Sequence, residues 1–551
     1  WLKPYGLQRE EIPWGSSLHR EMSLLCCSQD TTDWFGSQDF TTESLSPNNQ
    51  ETENSNAEQQ LYMPDLKASQ GPDVLDVKDA QEEAAVKTED VKIEPAPEQA
   101  VAAPAPAPAV SKSKGGPVII VLVNPKSGGN AAGPLLTLPK DGLLVEGDGA
   151  KATIFSYPIA DPEKRGVKHL AEEVEAAKDK EPMRCIVAGG DGTVMWAIEE
   201  IFKADIPIDR VWIGTMPFGT GNDFGNVTKW GVSGPPAGFL QESNGFKGIN
   251  PYVQRWLRAD SHAYDIWEIS IKTRSSDKAG FKFIEDKEKK CTEQHIARHH
   301  IKKLPDGSFE MSKFVCNYVG FGLDARVGIG FDKLRAGHRI LNKAVYGYEG
   351  VKKLLFKKKG VIGHIMDGMH RLQGDNLQRA SDGHDRAAHA DVASVFSTRP
   401  GSSPQLVGNP VGLLFLNIPS LAGGLDVWRW SDRKLGTASA SQELLSAKQD
   451  FGDGKLECLT WRTGLGFYSE QVRAPPISGQ GHRIFSEHGP VRISFKEPSD
   501  PEYIKGTDHC KGRTYMQVDG EFIIVHEPES VVVKHHATIT VLVNTDPAGC
   551  C

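Results

Sequence analysis

Residues 118–129 read Val-Ile-Ile-Val-Leu-Val-Asn-Pro-Lys-Ser-Gly-Gly, and their pattern predicts the fold class. Its first six residues form a continuous apolar, largely β-branched run, which is typical of a strand covered on both faces. The run stops at a turn that contains one proline and two glycines. A buried strand that leads into a Gly-rich turn predicts the first unit of an α/β domain.

The same pattern occurs twice more along the chain. Met183-Arg-Cys-Ile-Val-Ala188 is a second apolar strand and ends in Gly189-Gly-Asp-Gly-Thr193. Val211-Trp-Ile-Gly214 is a third, and it leads into Gly219-Thr-Gly-Asn-Asp223. The apolar spacing also predicts helices over 163–178 and 194–203. Alternating strands and helices imply βαβ units with right-handed crossovers, and we assign them to an α/β nucleotide-binding domain over 115–250.

Beyond about residue 250 the pattern changes to strands with polar alternation and few long helices. The predicted strands are 263–271, 314–319, 411–417, 456–461, 491–495 and 537–543. They predict a second, mostly antiparallel β-rich domain over 251–544. Segments 276–310 and 366–406 are polar and unpatterned, so we expect insertions in surface loops there.

Composition limits the remaining possibilities. Residues 1–114 are rich in polar residues, Ala and Pro, which predicts a disordered tail that closes with an Ala/Pro linker. The 551 residues carry 63 Lys and Arg against 72 Asp and Glu, a formal net charge of −9, which does not favour a nucleic-acid partner. No apolar run approaches the ~18 residues needed to cross a bilayer.

The nine cysteines show no repeated C-x-x-C spacing and no disulfide-scaffold density, which favours a reducing compartment. We therefore expect a cytoplasmic protein. Because the sequence begins at Trp1 rather than Met, secretory targeting by a leader peptide stays an alternative.

The three Gly-rich turns are the main chemical signal. Glycine allows backbone N–H groups to approach a phosphate, and the following helix presents its positive end. For any single turn, tight loop geometry is the alternative. Three turns at the carboxyl ends of parallel strands line one crevice, where open α/β sheets bind ligands, so together they predict a nucleotide site. They match neither the P-loop nor the protein-kinase motif set.

These motifs resemble those of the diacylglycerol kinase family, within the wider group that includes sphingosine and ceramide kinases. Asn124-Pro-Lys-Ser-Gly128 resembles its first phosphate loop, Gly189–Thr193 its signature turn and Pro217–Asp223 its third turn. Asn317–Ala325, Asn417–Gly424, Asp450–Glu457 and Gln517–Glu521 are similar to its accessory-domain motifs. The resemblance covers roughly 116–544 apart from the two insertions, and no Cys/His-rich zinc module precedes it.

The resemblance implies transfer of the γ-phosphate of ATP to the free hydroxyl of diacylglycerol, giving phosphatidic acid, with Mg²⁺ bridging ATP oxygens. A sphingoid lipid kinase, a pseudokinase that binds nucleotide or lipid as a sensor, and an NAD kinase are the alternatives. The residues expected to bind ATP are Asn124, Lys126, Ser127, Gly128, Gly189, Gly190, Gly192, Thr193, Gly219, Thr220, Gly221, Asn222 and Asp223. An exposed loop lysine is the alternative for Lys126.

Five carboxylates complete the expected site. By resemblance, Asp519 is the first candidate for the catalytic base, Asp191 the second, and Glu521 is expected to contact metal-bound ATP. Asp450 and Asp453 resemble a second Mg²⁺ site, which suits a hard ion that prefers oxygen ligands. Asp-Gly pairs are also ordinary turn residues, and this alternative stays open for Asp450, Asp453 and Asp519.

Membrane contact is expected to be peripheral and local. Val351-Lys-Lys-Leu-Leu-Phe-Lys-Lys-Lys359 combines bulky apolar residues with five lysines on a predicted helix, which is typical of a segment that binds anionic lipid. A solvated helix face is the alternative. Cys550 and Cys551 are candidates for lipidation, and an accidental fragment end is the other interpretation.

Overall fold

The computed structural model describes residues 115–147, 150–177, 180–236, 238–283, 300–333, 362–372, 393–406, 408, 410–431, 435–472, 480–505 and 512–546. The predicted tail over 1–114, the lysine run over 351–359 and Cys550-Cys551 lie outside these residues. Among the described residues no helix combines the length and the apolar character needed to cross a membrane.

A parallel sheet forms the N-terminal part of the described chain. Its strands are β1 (Val118–Val123), β3 (Ala150–Pro158), β4 (Met183–Gly189) and β5 (Val211–Pro217), in the order β3-β1-β4-β5. β2 (Leu143–Gly147) pairs antiparallel with β3 at the edge. Every residue of β1 is buried, which agrees with a strand covered on both faces. The sequence prediction missed β2 and β3, whose mixed polar and apolar residues give no continuous apolar run.

Short helices follow the strands and cover the parallel sheet. They are α1 (Ser127–Asn130), α2 (Arg165–Ala176), α3 (Asp191–Lys203), α4 (Asp223–Val227) and α5 (Asn250–Arg258). The prediction of a helix over 163–178 is confirmed at α2. α3 begins three residues before the predicted 194, because the amides of Thr193 and Val194 already donate to the carbonyl of Gly190.

A second sheet is antiparallel throughout its seven described strands. Its order is β15-β14-β13-β10-β17-β18-β7. The bounds are β7 (Gly280–Phe283), β10 (Tyr318–Gly322), β13 (Gly412–Leu416), β14 (Leu456–Trp461), β15 (His482–Glu487), β17 (Arg513–Val518) and β18 (Glu521–His526). The predicted mostly antiparallel β-rich region is therefore confirmed. The helices among the described residues of this region are α6 (Leu323–Lys333), α7 (Val427–Trp430), α8 (Glu443–Ser446), α9 (Gly464–Val472) and α10 (Pro501–Lys505).

One long strand joins the parallel sheet to the remaining antiparallel strands. β19 (Pro528–Val543) pairs along its length with β6 (Asp260–Thr273). Its first half also pairs with β16 (Val491–Phe495), whereas Thr540 and Val541 pair in parallel with β5. The predicted strand over 537–543 therefore belongs to the same sheet as the N-terminal strands, although the sequence placed it in the second domain.

Two other expectations need correction. The predicted strand over 314–319 is two strands, β9 (Phe309–Val315) and β10, because the amides of Cys316, Asn317 and Tyr318 donate to a carboxylate instead of to a neighbouring strand. The segments predicted as loop insertions contain β7, β8 (Ile301–Lys303), β11 (Met366–Arg371) and β12 (Ala393–Ser397). Their polar residues concealed short strands, each of which buries at least one apolar side chain. Whether the segments are insertions stays a prediction.

A buried asparagine connects three parts of the β-rich region. The Nδ2 group of Asn417 donates to the carbonyls of Asp265 and Cys316 at 2.8 and 2.7 Å. Its Oδ1 accepts from the indole N–H of Trp267 at 2.9 Å. These residues have no exposure to water, so the asparagine accepts from a buried indole N–H and supplies one donor to each of two buried carbonyls.

We expect Asn417→Ala to lower the free energy of unfolding by about 1 to 3 kcal/mol, because it leaves the buried indole N–H of Trp267 without its acceptor and removes one donor from each of two buried carbonyls. Urea unfolding followed by tryptophan fluorescence measures this change. Asn244→Ala, at an exposed position, is the matched control. Equal unfolding midpoints for the two variants would contradict the assigned role.

Candidate active site

The three Gly-rich turns lie side by side at the carboxyl ends of β1, β4 and β5. The amide of Asn124 donates to the carbonyl of Ala188 at 3.0 Å, and the amide of Phe218 donates to that of Gly189 at 2.8 Å. The Nδ2 group of Asn124 also donates to Thr193 Oγ1 at 3.2 Å. The structure therefore brings together the turns that the sequence predicts to line one crevice.

The glycines of these turns have different surroundings. A methyl group on Gly190 would lie 2.9 Å from the Cα atom of Gly219, so these two glycines permit direct backbone contact between the second and third turns. A methyl group on Gly192 would meet no atom within 4 Å. Gly192 is exposed in the first turn of α3, whose N–H groups point out of the helix end. Of these three, Gly192 is therefore the one that faces open space.

Asp191 connects the second turn to the third. Its Oδ2 accepts from the amide of Asp223 at 3.1 Å, and its Oδ1 accepts from the amide of Phe224 at 3.0 Å. These amides belong to the first turn of α4, where a negative charge is favourable. Asp191 thus fixes α4 relative to α3, and the residue is half-buried.

Asp223 is buried, and its side chain contacts the β-rich region. Its Oδ1 accepts from Ser420 Oγ at 2.5 Å and from the amide of Gly423 at 2.8 Å, and its Oδ2 accepts from Tyr318 OH at 3.0 Å. All three donors come from the β-rich part of the chain. The third glycine turn and the β-rich region therefore share one buried carboxylate.

Asp519 lies at the tip of a hairpin. Asp519 and Gly520 both have positive φ, 48° and 82°, and they connect β17 to β18 as a two-residue loop with Val518 opposite Glu521. Asp-Gly is the sequence that such tight hairpin turns prefer. The carboxylate of Asp519 accepts from the amides of Cys316, Asn317 and Tyr318 at 2.8 to 2.9 Å. The side chain of Cys316 also hydrogen-bonds to this carboxylate.

Burial and neighbouring charge change how these carboxylates ionise. Burial, with the nearby charge of Asp223, raises the pKa of Asp191 to about 7, although two backbone N–H groups act in the opposite direction and Asp519 adds to the rise. Burial also raises the pKa of Asp519 above its ordinary value, partly offset by its three backbone hydrogen bonds. The site therefore concentrates carboxylates that resist full ionisation in the absence of a cation.

Asp450 and Asp453 lie on a separate, exposed turn. Each accepts a hydrogen bond from a backbone amide two residues further on, Gly452 and Lys455, at 3.0 Å. This is ordinary Asx-turn geometry. Within the described residues no set of three or more His, Cys, Asp or Glu side chains is placed to hold a metal ion. The role of Asp450 and Asp453 in metal binding stays a prediction.

Asp265 holds that turn, and the sequence analysis missed it. Its backbone amide donates to the carbonyl of Phe451 at 2.7 Å, and its Oδ2 accepts from the amide of Gly454 at 2.6 Å. Its Oδ1 accepts from Thr538 Oγ1 and lies 2.9 Å from His535 Nε2. Burial raises the pKa of Asp265, but the hydrogen bonds from His535 and Thr538 outweigh it and hold the pKa below its ordinary value. The sequence signal that could have identified Asp265 is its position as a carboxylate inside an apolar strand.

The remaining predicted residues lie around the crevice. Lys126 is exposed, and its amide donates to Asn124 Oδ1 at 3.2 Å. Glu521 forms an ion pair with Lys313. The Nδ2 group of Asn222 donates to the carbonyls of Gly219 and Val232 at 2.8 and 2.9 Å. Ser127, Gly128, Gly189, Thr220 and Gly221 belong to the same three turns.

The raised pKa of Asp191 gives a testable pH dependence. Between its ordinary pKa of 3.8 and about 7, the folded chain keeps a proton at Asp191 that the unfolded chain has released, so this group destabilises the fold as pH rises. Asn does not titrate. The melting temperature of Asp191→Asn minus that of the native chain should therefore increase from pH 4.5 to pH 7.5. Loss of the hydrogen-bond acceptor in the variant would shift this difference by the same amount at every pH.

Thermal unfolding of the nucleotide-free protein measures this difference. Asp205→Asn, at an exposed position after α3, is the matched control. Parallel curves of melting temperature against pH for the native chain and Asp191→Asn would contradict the raised pKa.

Comparison with known proteins agrees with this arrangement. Residues 118–242 match the diacylglycerol kinase catalytic domain, and residues 314–522 match the diacylglycerol kinase accessory domain. Diacylglycerol kinase theta of Mus musculus is 26% identical over 315 residues, which cover 56% of this chain and 26% of the relative. Diacylglycerol kinase 5 of Arabidopsis thaliana is 24% identical over 434 residues, covering 73% and 72%.

Diacylglycerol kinase 4 of Arabidopsis thaliana is 30% identical over 252 residues, 42% of this chain and 48% of the relative. The chain thus spans only about a quarter of the length of the mouse relative. The two matches follow one another along the chain in the order of the parallel sheet and the β-rich region. The chain belongs to the diacylglycerol kinase family.

Proposed function

We propose that this chain transfers the γ-phosphate of ATP to the free hydroxyl of diacylglycerol and so forms phosphatidic acid. The observation that carries the proposal is the meeting of three glycine turns with three carboxylates, Asp191, Asp223 and Asp519, at the junction of the two matched regions. Phosphoryl transfer requires mainly positioning and charge neutralisation, which preorganised amides and carboxylates supply.

The phosphates of ATP are proposed to lie against the glycine turns. Gly128 and Gly129 have positive φ within α1, so their N–H groups are turned away from ordinary helical directions. Together with the free end of α3 at Gly192, they provide backbone donors suited to phosphate oxygens. Gly190 and Gly219 support this surface from behind through their mutual contact. Lys126 is proposed as a countercharge.

The acceptor hydroxyl is proposed to approach Asp519. Three backbone amides orient this carboxylate, and its raised pKa makes it a stronger base than an exposed aspartate. Tyr318 contacts both Asp519, through its amide, and Asp223, through its hydroxyl. A proton taken by Asp519 would therefore be held beside the glycine turns. Asp191 remains the second candidate.

Mg²⁺ would neutralise the phosphate charge when bound with ATP. Asp450 and Asp453 are proposed to hold a second Mg²⁺, because they supply two exposed oxygen-donor side chains on one turn and this ion takes one or two carboxylates while keeping several waters. Asp265 orients this turn through Gly454. Glu521 and its partner Lys313 are proposed to contact the metal-bound nucleotide.

The alternatives have less support. A pseudokinase would be expected to have lost some of the glycines or carboxylates, yet all three turns and the aspartates are present. An NAD kinase does not explain the accessory-domain match over 314–522. A sphingoid lipid would use the same chemistry, and it is the second candidate acceptor.

Peripheral binding to membranes is part of the proposal, because diacylglycerol resides in bilayers.

A transfer assay with radiolabelled ATP tests the proposal. In detergent micelles we expect label in diacylglycerol and not in sphingosine, ceramide or NAD. Gly192→Asp should lower kcat/KM for ATP on the order of 10²-fold, because the new carboxylate would face the phosphates in open space. Gly192→Ala, which adds only a methyl group there, should stay within a few-fold. Label in sphingosine alone would overturn the substrate assignment.

Replacement of the proposed base gives a separate prediction. Asp519→Asn should lower kcat by ~10²- to 10⁴-fold with little change in KM for ATP, because the amide cannot accept a proton. Asp191→Asn should act mainly on the affinity for ATP. Steady-state kinetics of both variants distinguishes the two roles. A loss of kcat in Asp191→Asn with a mild effect in Asp519→Asn would assign the catalytic base to Asp191 instead.

The amide of Asp519→Asn would also direct a donor at the amide of Cys316, which costs stability as well. Asn417→Ala is the matched control, because Asn417 holds the same segment through the carbonyl of Cys316 without contacting Asp519. If this control lost as much kcat as Asp519→Asn, the effect would be structural.

A further inference from the structure

Two large apolar side chains are exposed on the β-rich region. Among the described residues, Trp430 is 50% exposed and Leu465 is 64% exposed. Trp430 ends α7, and Leu465 lies in the first turn of α9. Their neighbours Trp428 and Phe467 are buried in one apolar cluster, so α7 and α9 cover the same part of the core. Single exposed apolar residues are common, but two on adjacent segments form a patch.

The two segments meet through Gln480 and Gly481. A methyl group on Gly481 would lie 3.3 Å from the Cβ atom of Ser431, and one on Gly466 would lie 3.1 Å from that of Gln480. Ser431 directly follows Trp430, and Gly466 directly follows Leu465. Each exposed side chain is therefore one residue from a contact with the same dipeptide.

An arginine lies close in the chain to each of the two apolar residues. Arg429 and Arg462 are both exposed. The guanidinium of Arg429 lies 5.5 Å from the ring centroid of Trp430, and Arg462 directly follows the buried Trp461 at the end of β14. Tryptophan, an aliphatic side chain and arginines in one patch are the combination that binds the boundary between anionic headgroups and acyl chains. We call Arg429, Trp430, Arg462 and Leu465 the Trp430 patch.

The Trp430 patch shares a short segment with the active site. Ser420 and Gly423 donate to the buried carboxylate of Asp223. Leu421 and Leu425 then pair through two backbone hydrogen bonds of 2.9 and 3.0 Å, and Asp426 caps the start of α7. Eleven residues, 420–430, therefore connect Asp223 to Trp430. Even fully extended they would span only about 35 Å, and the turn and helix shorten this.

We propose that the Trp430 patch is a membrane-docking surface, which inserts Trp430 and Leu465 into the interface of an anionic bilayer and holds the active site near it. This inference rests on the proposed function, because a kinase for a bilayer lipid must approach its substrate at the membrane surface. Arginines beside the apolar pair match the negative headgroups and would disfavour a second copy of the same patch through like-charge contact.

Vesicle sedimentation of the full chain tests the proposal directly. The vesicles contain phosphatidylserine and phosphatidylcholine without diacylglycerol, so binding is measured independently of catalysis. The double variant Trp430→Gln/Leu465→Gln should bind at least about tenfold more weakly, whereas Trp430→Phe/Leu465→Met should bind nearly as the native chain does. Arg429→Gln/Arg462→Gln should lose affinity mainly at low salt. Lys140→Gln/Lys168→Gln, at exposed positions of the α/β region, is the charge control.

Activity on a short-chain, water-soluble diacylglycerol separates this inference from the proposed function. The Gln double variant should retain native activity on that substrate and lose activity on vesicles. If the native chain fails on the soluble substrate, the proposed function fails, whatever the vesicle result. Unchanged vesicle binding by the Gln double variant overturns the membrane assignment. A changed sedimentation coefficient with unchanged vesicle binding also overturns it, and assigns the patch to contact between copies of the chain.

Discussion

β19 pairs with β6 along its length, and this ladder holds the parallel and antiparallel strands in one sheet. The ladder runs from Pro528 opposite Thr273 to Val543 opposite Asp260. On its other side β19 pairs first with β16 and then with β5. The register of β19 shifts between His535 and Ala537, and this irregularity lies between the two sets of partners. A single strand thus fixes the parallel sheet relative to the antiparallel strands without a flexible connection.

This constraint determines which groups meet at the crevice. Asp265 on β6 and Thr538 on β19 are adjacent because of the register, and through Asp265 the 450–454 turn is held. Tyr264, the preceding residue on β6, donates to the carbonyl of Cys316, where the chain passes from β9 to β10. Residues 316–318, at the passage between these strands, supply the three amides that bind Asp519. The side chains of Tyr264 and Asn417 therefore connect β6 to the segment that binds the proposed base.

The sequence predicted the parts of the site that depend on local pattern. The glycine turns follow apolar strands, and Asp519-Gly520 is a recognisable hairpin signal. It did not predict that Asp223 would be buried among donors from residues 318, 420 and 423, because such contacts arise only when distant segments fold together. It also misread 314–319 as one strand, since the amides that interrupt it are occupied by a carboxylate two hundred residues later.

The clustering of Asp191, Asp223 and Asp519 has an electrostatic consequence for function. Buried like charges are costly, and the structure offsets this cost with backbone and hydroxyl donors instead of lysine or arginine partners among the described residues. Such donors hold the carboxylates in place but leave their net charge uncompensated. A cation that arrives with the nucleotide would therefore gain from a negative environment that already exists. If ATP binds at the glycine turns as proposed, the carboxylates that connect the two regions would favour its metal-bound form, because free ATP would add negative charge to a negative site.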